Sequence, residues 1–158
     1  MITREEMMPD SQQSALTWGL RQKFLLLLLA VLAMSPAWAE KPTAPNSING
    51  VVTVNADKTI ELILNTPELI VIDARHPEEF HKGHIEDAIQ LVDTAVNKKS
   101  LAQIVKTKTT PLLFYCNGPR CLRSSRAAKK ALKYGYTNIY WFRGGWSEWM
   151  AKELPVIQ

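Results

Sequence analysis

The segment Leu112-Leu113-Phe114-Tyr115-Cys116-Asn117-Gly118-Pro119-Arg120-Cys121-Leu122-Arg123-Ser124-Ser125 runs from an unbroken apolar stretch into a polar loop and then into a helical pattern. A continuous apolar run of this length reads as a strand covered on both faces, which is the habit of parallel sheets flanked by helices. Two further runs read the same way, Leu69-Ile70-Val71-Ile72 and Ile139-Tyr140-Trp141-Phe142, and Val51 to Val54 and Ile89 to Val92 are shorter candidates. Helix-like segments lie between them at Asp57 to Asn65, Pro77 to His81, Ser100 to Lys106, Ser124 to Tyr134 and Trp146 to Lys152. Alternation of strand and helix predicts an α/β domain with an open, mostly parallel five-stranded sheet flanked by helices.

In such sheets ligands gather at the carboxyl ends of the strands. Asp73 and Cys116 stand at two of those ends. Cys116 precedes a helix that Ser124 or Ser125 is suited to cap, with Lys129, Lys130 and Lys133 near its negative end and Gly135 as its stop. A thiol beside a helix N-terminus meets unpaired N–H groups, and Arg120 and Arg123 add full positive charges. Surroundings of this kind lower a cysteine pKa to roughly 3.5–7.5 and favour the nucleophilic thiolate. They also cradle anions with sulfonate or phosphate oxygens. The alternatives are an ordinary buried cysteine at a strand end and a redox pair formed with Cys121. Five extended steps span about 17 Å, whereas a disulfide needs Cα atoms within about 7 Å, so the pair requires a turn at Gly118-Pro119.

Phosphatase chemistry of the Cys-x5-Arg type fails on counting. The sixth residue after Cys116 is Leu122, and the sixth after Cys121 is Ala127.

The chain resembles a rhodanese-type sulfurtransferase domain over about residues 50–157. The resemblance is carried by Val71-Ile72-Asp73-Ala74-Arg75, Glu79-Phe80, Gly83-His84-Ile85, Ala88-Ile89, Phe114-Tyr115-Cys116, Gly135-Tyr136, Gly144-Gly145, Trp149 and Leu154-Pro155-Val156, in that order. It implies that Cys116 is the catalytic nucleophile, taking the outer sulfur of a small anionic donor such as thiosulfate as a persulfide. A thiol or cyanide-like acceptor, or an exported protein acceptor, then removes it, so catalysis is covalent and in two steps. Asn117, Gly118, Arg120, Arg123 and Ser124 are the implied substrate contacts, with loop N–H groups facing the persulfide and an arginine facing the departing sulfite. Neither a metal nor an organic cofactor is implied.

Two departures from the family pattern stand out. Counted from Cys116 to Gly135-Tyr136, the segment is about two residues longer than in typical single-domain members, and counted from Cys121 it is too short, which favours Cys116 as nucleophile. Cys121 is also a second thiol inside the loop, able to attack a Cys116 persulfide and leave a disulfide. A thiol–disulfide or persulfide redox protein, and a noncatalytic binding module of the same fold, therefore remain as rival readings.

The rest of the chain narrows the setting. At 158 residues it fits one domain and an appendage, and 46% hydrophobic with 22% charged residues indicates a packed core. Lys and Arg outnumber Asp and Glu by 19 to 15, an excess too small and scattered for nucleic-acid binding. Arg21 and Lys23 precede an 11-residue apolar run, Phe24 to Met34, followed by Pro36 and Ala37-Trp38-Ala39. That run is too short to span a membrane but matches a secretory signal peptide over residues 1–39, cleaved before Glu40. Residues 40–49 then read as an extended linker, and 50–158 as the domain. Export implies a periplasmic or secreted protein with no membrane attachment after cleavage, in an oxidising compartment. Asp73 and Arg75 read as structural, with an ion pair to Glu79 as one option. His76, His81 and His84 lack metal-site spacing, and Trp141, Trp146 and Trp149 read as core.

Overall fold

The computed structural model describes residues 42–158. The signal-peptide reading, and with it the first residues of the expected linker, lies outside them. The elements alternate as the sequence pattern predicts: β1 (Val52–Val54), α1 (Ala56–Asn65), β2 (Ile70–Asp73), α2 (Pro77–His81), β3 (Ile89–Gln90), α3 (Lys98–Ile104), β4 (Leu112–Tyr115), α4 (Arg123–Lys133), β5 (Ile139–Phe142) and α5 (Gly145–Ala151). The five strands form one sheet in the order β1-β5-β4-β2-β3, and every neighbouring pair is parallel.

All four residues of β4 are buried, as a central strand covered on both faces requires. Because side chains alternate across a strand, each strand feeds two cores. Ile72, Phe114 and Trp141 pack with Ala127, Ala128 and Ala131 of α4. Val71, Leu113, Tyr115 and Phe142 pack on the other face with Leu62 of α1 and Trp149 of α5. Trp141 and Trp149 are thus core, and Trp146 is half-buried beneath the Arg75 guanidinium, 4.2 Å from its ring centroid.

β3 ends at Gln90, two residues short of the expected Val92; beyond it, the Leu91 N–H still reaches the Asp73 carbonyl at 2.9 Å. The 40–49 stretch also departs from the linker reading. Ala44 and Ile48 are buried in the α4-side core, the Ala44 N–H donates to the Pro119 carbonyl at 2.8 Å, and Arg143 donates to the carbonyls of Pro45 and Ala44. Prolines keep this backbone extended, which leaves its polar groups free to bond the loop it crosses.

Asp73 and Arg75 are structural, though the partner is not Glu79. The buried guanidinium grips the Asp73 carboxylate through Nε and Nη2 and gives a further hydrogen bond to the Gly83 carbonyl. The Tyr115 hydroxyl donates to the same carboxylate at 2.6 Å. The pair therefore ties the ends of β2 and β4 together directly beneath the loop that follows β4.

Candidate functional site

The loop after β4 turns back on itself at Gly118-Pro119. The Cys121 N–H donates to the Gly118 carbonyl at 2.8 Å, closing a four-residue turn, and Gly118 takes a φ of +144° that favours glycine. The turn carries Cys121 back over Cys116: the Cys116 thiol donates to the Cys121 carbonyl at 3.4 Å, and both cysteines are free thiols.

The two sulfurs sit in opposite surroundings. Cys116, expected from the sequence to be the nucleophile, is 1% exposed and belongs to the core beneath α4. The neighbouring Cys121 side chain and its own burial push its thiol well above the usual range. Cys121 is only partly buried and lines an open cleft of about 750 Å³. The bond from Cys116 is the main force lowering its pKa, and the backbone N–H groups of Arg123 and Asn117 and the Arg123 charge add to it against burial, bringing it down to about 5. Cys121 thus stands just before the N-terminus of α4, where N–H groups that lack helical partners favour a negative sulfur.

Ser124 does not face the cleft. It is 1% exposed, and its hydroxyl is taken up by the Cys116 sulfur and by the Trp141 indole N–H, each at 2.9 Å. Nor does it cap α4, whose N-cap is Leu122 with no side-chain bond, while the Ser125 hydroxyl donates to the Leu122 carbonyl. Asn117, Gly118, Arg120 and Arg123 all line the cleft beside Cys121. Arg120 is exposed there. The guanidinium of Arg123 lies against the Cys121 sulfur and donates from Nη2 to Glu79 at 2.9 Å, while its buried Nε has no hydrogen-bond partner.

Glu79 is the residue whose part in the site sequence reasoning missed. It accepts from the Asn117 side-chain amide, from Arg123 and from the His76 N–H at 3.0 Å, so one carboxylate positions both ends of the loop. Burial opposes its charge, yet these donors hold its pKa below the usual carboxylate range. Its signal was the place at the third position of α2, where a capping-box glutamate belongs. Ser147 also went unnoticed: its N–H and hydroxyl both donate to the Asn117 carbonyl, and the Trp146 N–H donates to that of Cys116. The start of α5 thereby clamps the carbonyls of the loop. The far wall of the cleft carries an Arg126–Asp93 pair at 3.1 Å, and His76 lines its rim.

Comparison with known proteins agrees with this architecture. The chain is similar to the uncharacterized protein YibN of Escherichia coli (strain K12), 24% identical over 136 residues that cover 85% of this chain and 87% of that one. Among solved structures it resembles the BH2092 protein from Bacillus halodurans, at a TM-score of 0.59 and 25% identity, covering 67% of this chain and 76% of that one. The polysulfide-sulfur transferase of Wolinella succinogenes shares the fold at a TM-score of 0.53 and 22% identity, covering 68% of this chain and 79% of the other. The rhodanese-like domain family matches residues 55–152, and with the all-parallel sheet and the loop after β4 in place, the chain belongs to that family.

Proposed function

We propose that this chain is an exported sulfurtransferase that moves sulfane sulfur from an anionic donor such as thiosulfate to a thiol or cyanide-like acceptor, through a cysteine persulfide. The observation that carries the reading is a free, partly exposed thiol, Cys121, just before the N-terminus of α4 in the wall of a cleft that also holds Arg120 and Arg123. Thiolate, backbone donors and guanidinium groups together suit attack on a sulfur whose leaving group is an oxyanion. Export rests on the basic flank, short apolar run and Ala37-Trp38-Ala39 of the N-terminal segment, and leads to a periplasmic site in a Gram-negative cell. Among the described residues no helix is long and apolar enough to cross a membrane.

The test is intact mass of the reduced protein before and after thiosulfate. Sulfur transfer predicts a gain of one sulfur atom, reversed by cyanide. Loss of two hydrogens without added sulfur would instead favour a thiol–disulfide protein, a reading supported by two free thiols sharing one loop.

The arginines should differ in weight. Arg123→Ala removes the half-buried guanidinium beside Cys121 and should lower kcat/KM for thiosulfate by about 10- to 100-fold, the range of a charge-assisted hydrogen bond. Arg120→Ala removes an exposed charge and should raise KM about 2- to 5-fold with little change in kcat. Steady-state kinetics unchanged in both variants would remove the arginines from donor recognition.

A further inference from the structure

We propose that Cys121, rather than Cys116, is the thiol that takes up sulfur, and that Cys116 is a positioning residue whose S–H holds the Cys121 carbonyl from below. The inference rests on the sulfur-transfer reading and assigns its chemistry within the loop.

Access comes first. Cys121 lines the cleft, whereas Cys116 is 1% exposed, walled in by Ser124 and packed into the core beneath α4. Bringing Cys116 to the cleft requires opening the loop, and the loop is pinned along its length. Asn117 is held by Glu79 and Ser147, Pro119 by the Ala44 N–H, and Cys121 by the Gly118 carbonyl.

Charge follows the same division. Cys121 lines the cleft together with Asn117 and Arg123, whose N–H groups and guanidinium charge favour a negative sulfur there. The unpartnered Nε of Arg123, in the same wall, is a spare donor for an anion. The Cys116 thiol, by contrast, has Cys121 and Ser124 as its partners. Its S–H is given to the Cys121 carbonyl, which leaves the Cys121 sulfur free to face the cleft.

The steps balance without an outside oxidant. The Cys121 thiolate attacks the outer sulfur of thiosulfate, a bond forms from Sγ to that sulfur, and the S–S bond of the donor breaks. Sulfite leaves with the electron pair, facing Arg123. An acceptor thiolate then attacks the outer persulfide sulfur, and the pair returns to Cys121 as thiolate. Cys116 keeps its proton throughout.

The experiment loads reduced wild-type protein, Cys121→Ser and Cys116→Ala with thiosulfate, and maps the added sulfur by tryptic peptides, which part the two cysteines at Arg120. Sulfur on Cys121 in the wild type, none gained by Cys121→Ser, and retained uptake by Cys116→Ala are expected. Sulfur on Cys116, or uptake that survives in Cys121→Ser, overturns the assignment. The wild-type uptake rate should rise with pH to a plateau with a midpoint near 5, and Cys116→Ala should move that midpoint upward by more than one unit, toward the ordinary thiol value of roughly 8.5. An unmoved midpoint, or a Cys116–Cys121 disulfide formed with release of hydrosulfide, overturns the positioning role.

Absence of uptake in all three proteins defeats the sulfur-transfer reading itself. The thiol assignment is then decided by iodoacetamide at pH 6 on the wild type, which should label Cys121 before Cys116; the reverse order overturns it. The same labelling covers the case in which Cys116→Ala fails to fold.

Discussion

Arg75→Met should cost about 3–5 kcal/mol of stability, seen as a fall in Tm of about 10 °C or more. The guanidinium is 2% exposed and the Asp73 carboxylate it grips is 0% exposed, so neither ion has water to fall back on. Removing the cation leaves a buried carboxylate with only the Tyr115 hydroxyl and the residue 75 N–H as donors. The loss comes from that stranded charge more than from the worth of the pair, so adding Asp73→Asn to Arg75→Met should recover part of it. For a domain whose total stability is about 5–15 kcal/mol, the single variant sits near the edge of folding. Thermal unfolding of the two variants beside the wild type checks the argument, and a shift below about 3 °C for Arg75→Met would overturn it. Because Asp73 and Tyr115 end the strands that carry the loop, damage here should also blunt sulfur uptake before the protein unfolds.

Gly145→Ala should be as severe, for a steric reason. A Cβ at this position would stand 2.1 Å from the carbonyl oxygen of Cys116 and 3.0 Å from its carbon, and φ is +52°. Backbone cannot rotate aside as a side chain can, so the start of α5 and the loop must separate. That breaks the bonds from Trp146 and Ser147 to the loop carbonyls. A loss of about 3 kcal/mol or more is expected, together with loss of sulfur uptake. Gly135→Ala is the control. It also has a positive φ, +89°, but a Cβ there meets nothing within 4 Å, so only the backbone cost of about 1–2 kcal/mol applies. Equal Tm shifts for the two variants would mean that contact with the Cys116 carbonyl is not what demands glycine at 145.

Both predictions concern residues that hold the loop rather than residues that face the cleft. The site behaves as a thin segment stretched between supports: the buried ion pair under β2 and β4, Glu79 at the start of α2, and the N-terminus of α5. The lowered pKa of Cys121 depends on this arrangement, since the Cys116 side chain first, and then the backbone N–H groups of Arg123 and Asn117, favour its negative form, and the loop that carries them is held from outside.

What the amino-acid order determined by itself was the architecture. Unbroken apolar runs at Leu112–Tyr115 and Ile139–Phe142 read as strands covered on both faces, and their alternation with amphipathic helices leaves a parallel α/β sheet as the economical solution. The position of the functional loop followed too, because strand ends are where backbone polar groups and helix N-termini meet. Local signals went no further. They placed Cys116 after a strand and Cys121 before a helix, but which sulfur is buried depends on the Gly118-Pro119 turn folding one over the other. They offered Ser124 or Ser125 as a cap, and the resemblance made Ser124 a substrate contact, while Trp141, 17 residues away, claims its hydroxyl in the core. They offered Glu79 to Arg75, while α2 brings it to Asn117 and Arg123, 38 and 44 residues distant. Strand and helix periodicity is a property of neighbours in the chain, so it can be read along the sequence. Burial, partner choice and the charge on a sulfur depend on groups that meet only when distant segments pack, and the tertiary structure decided them.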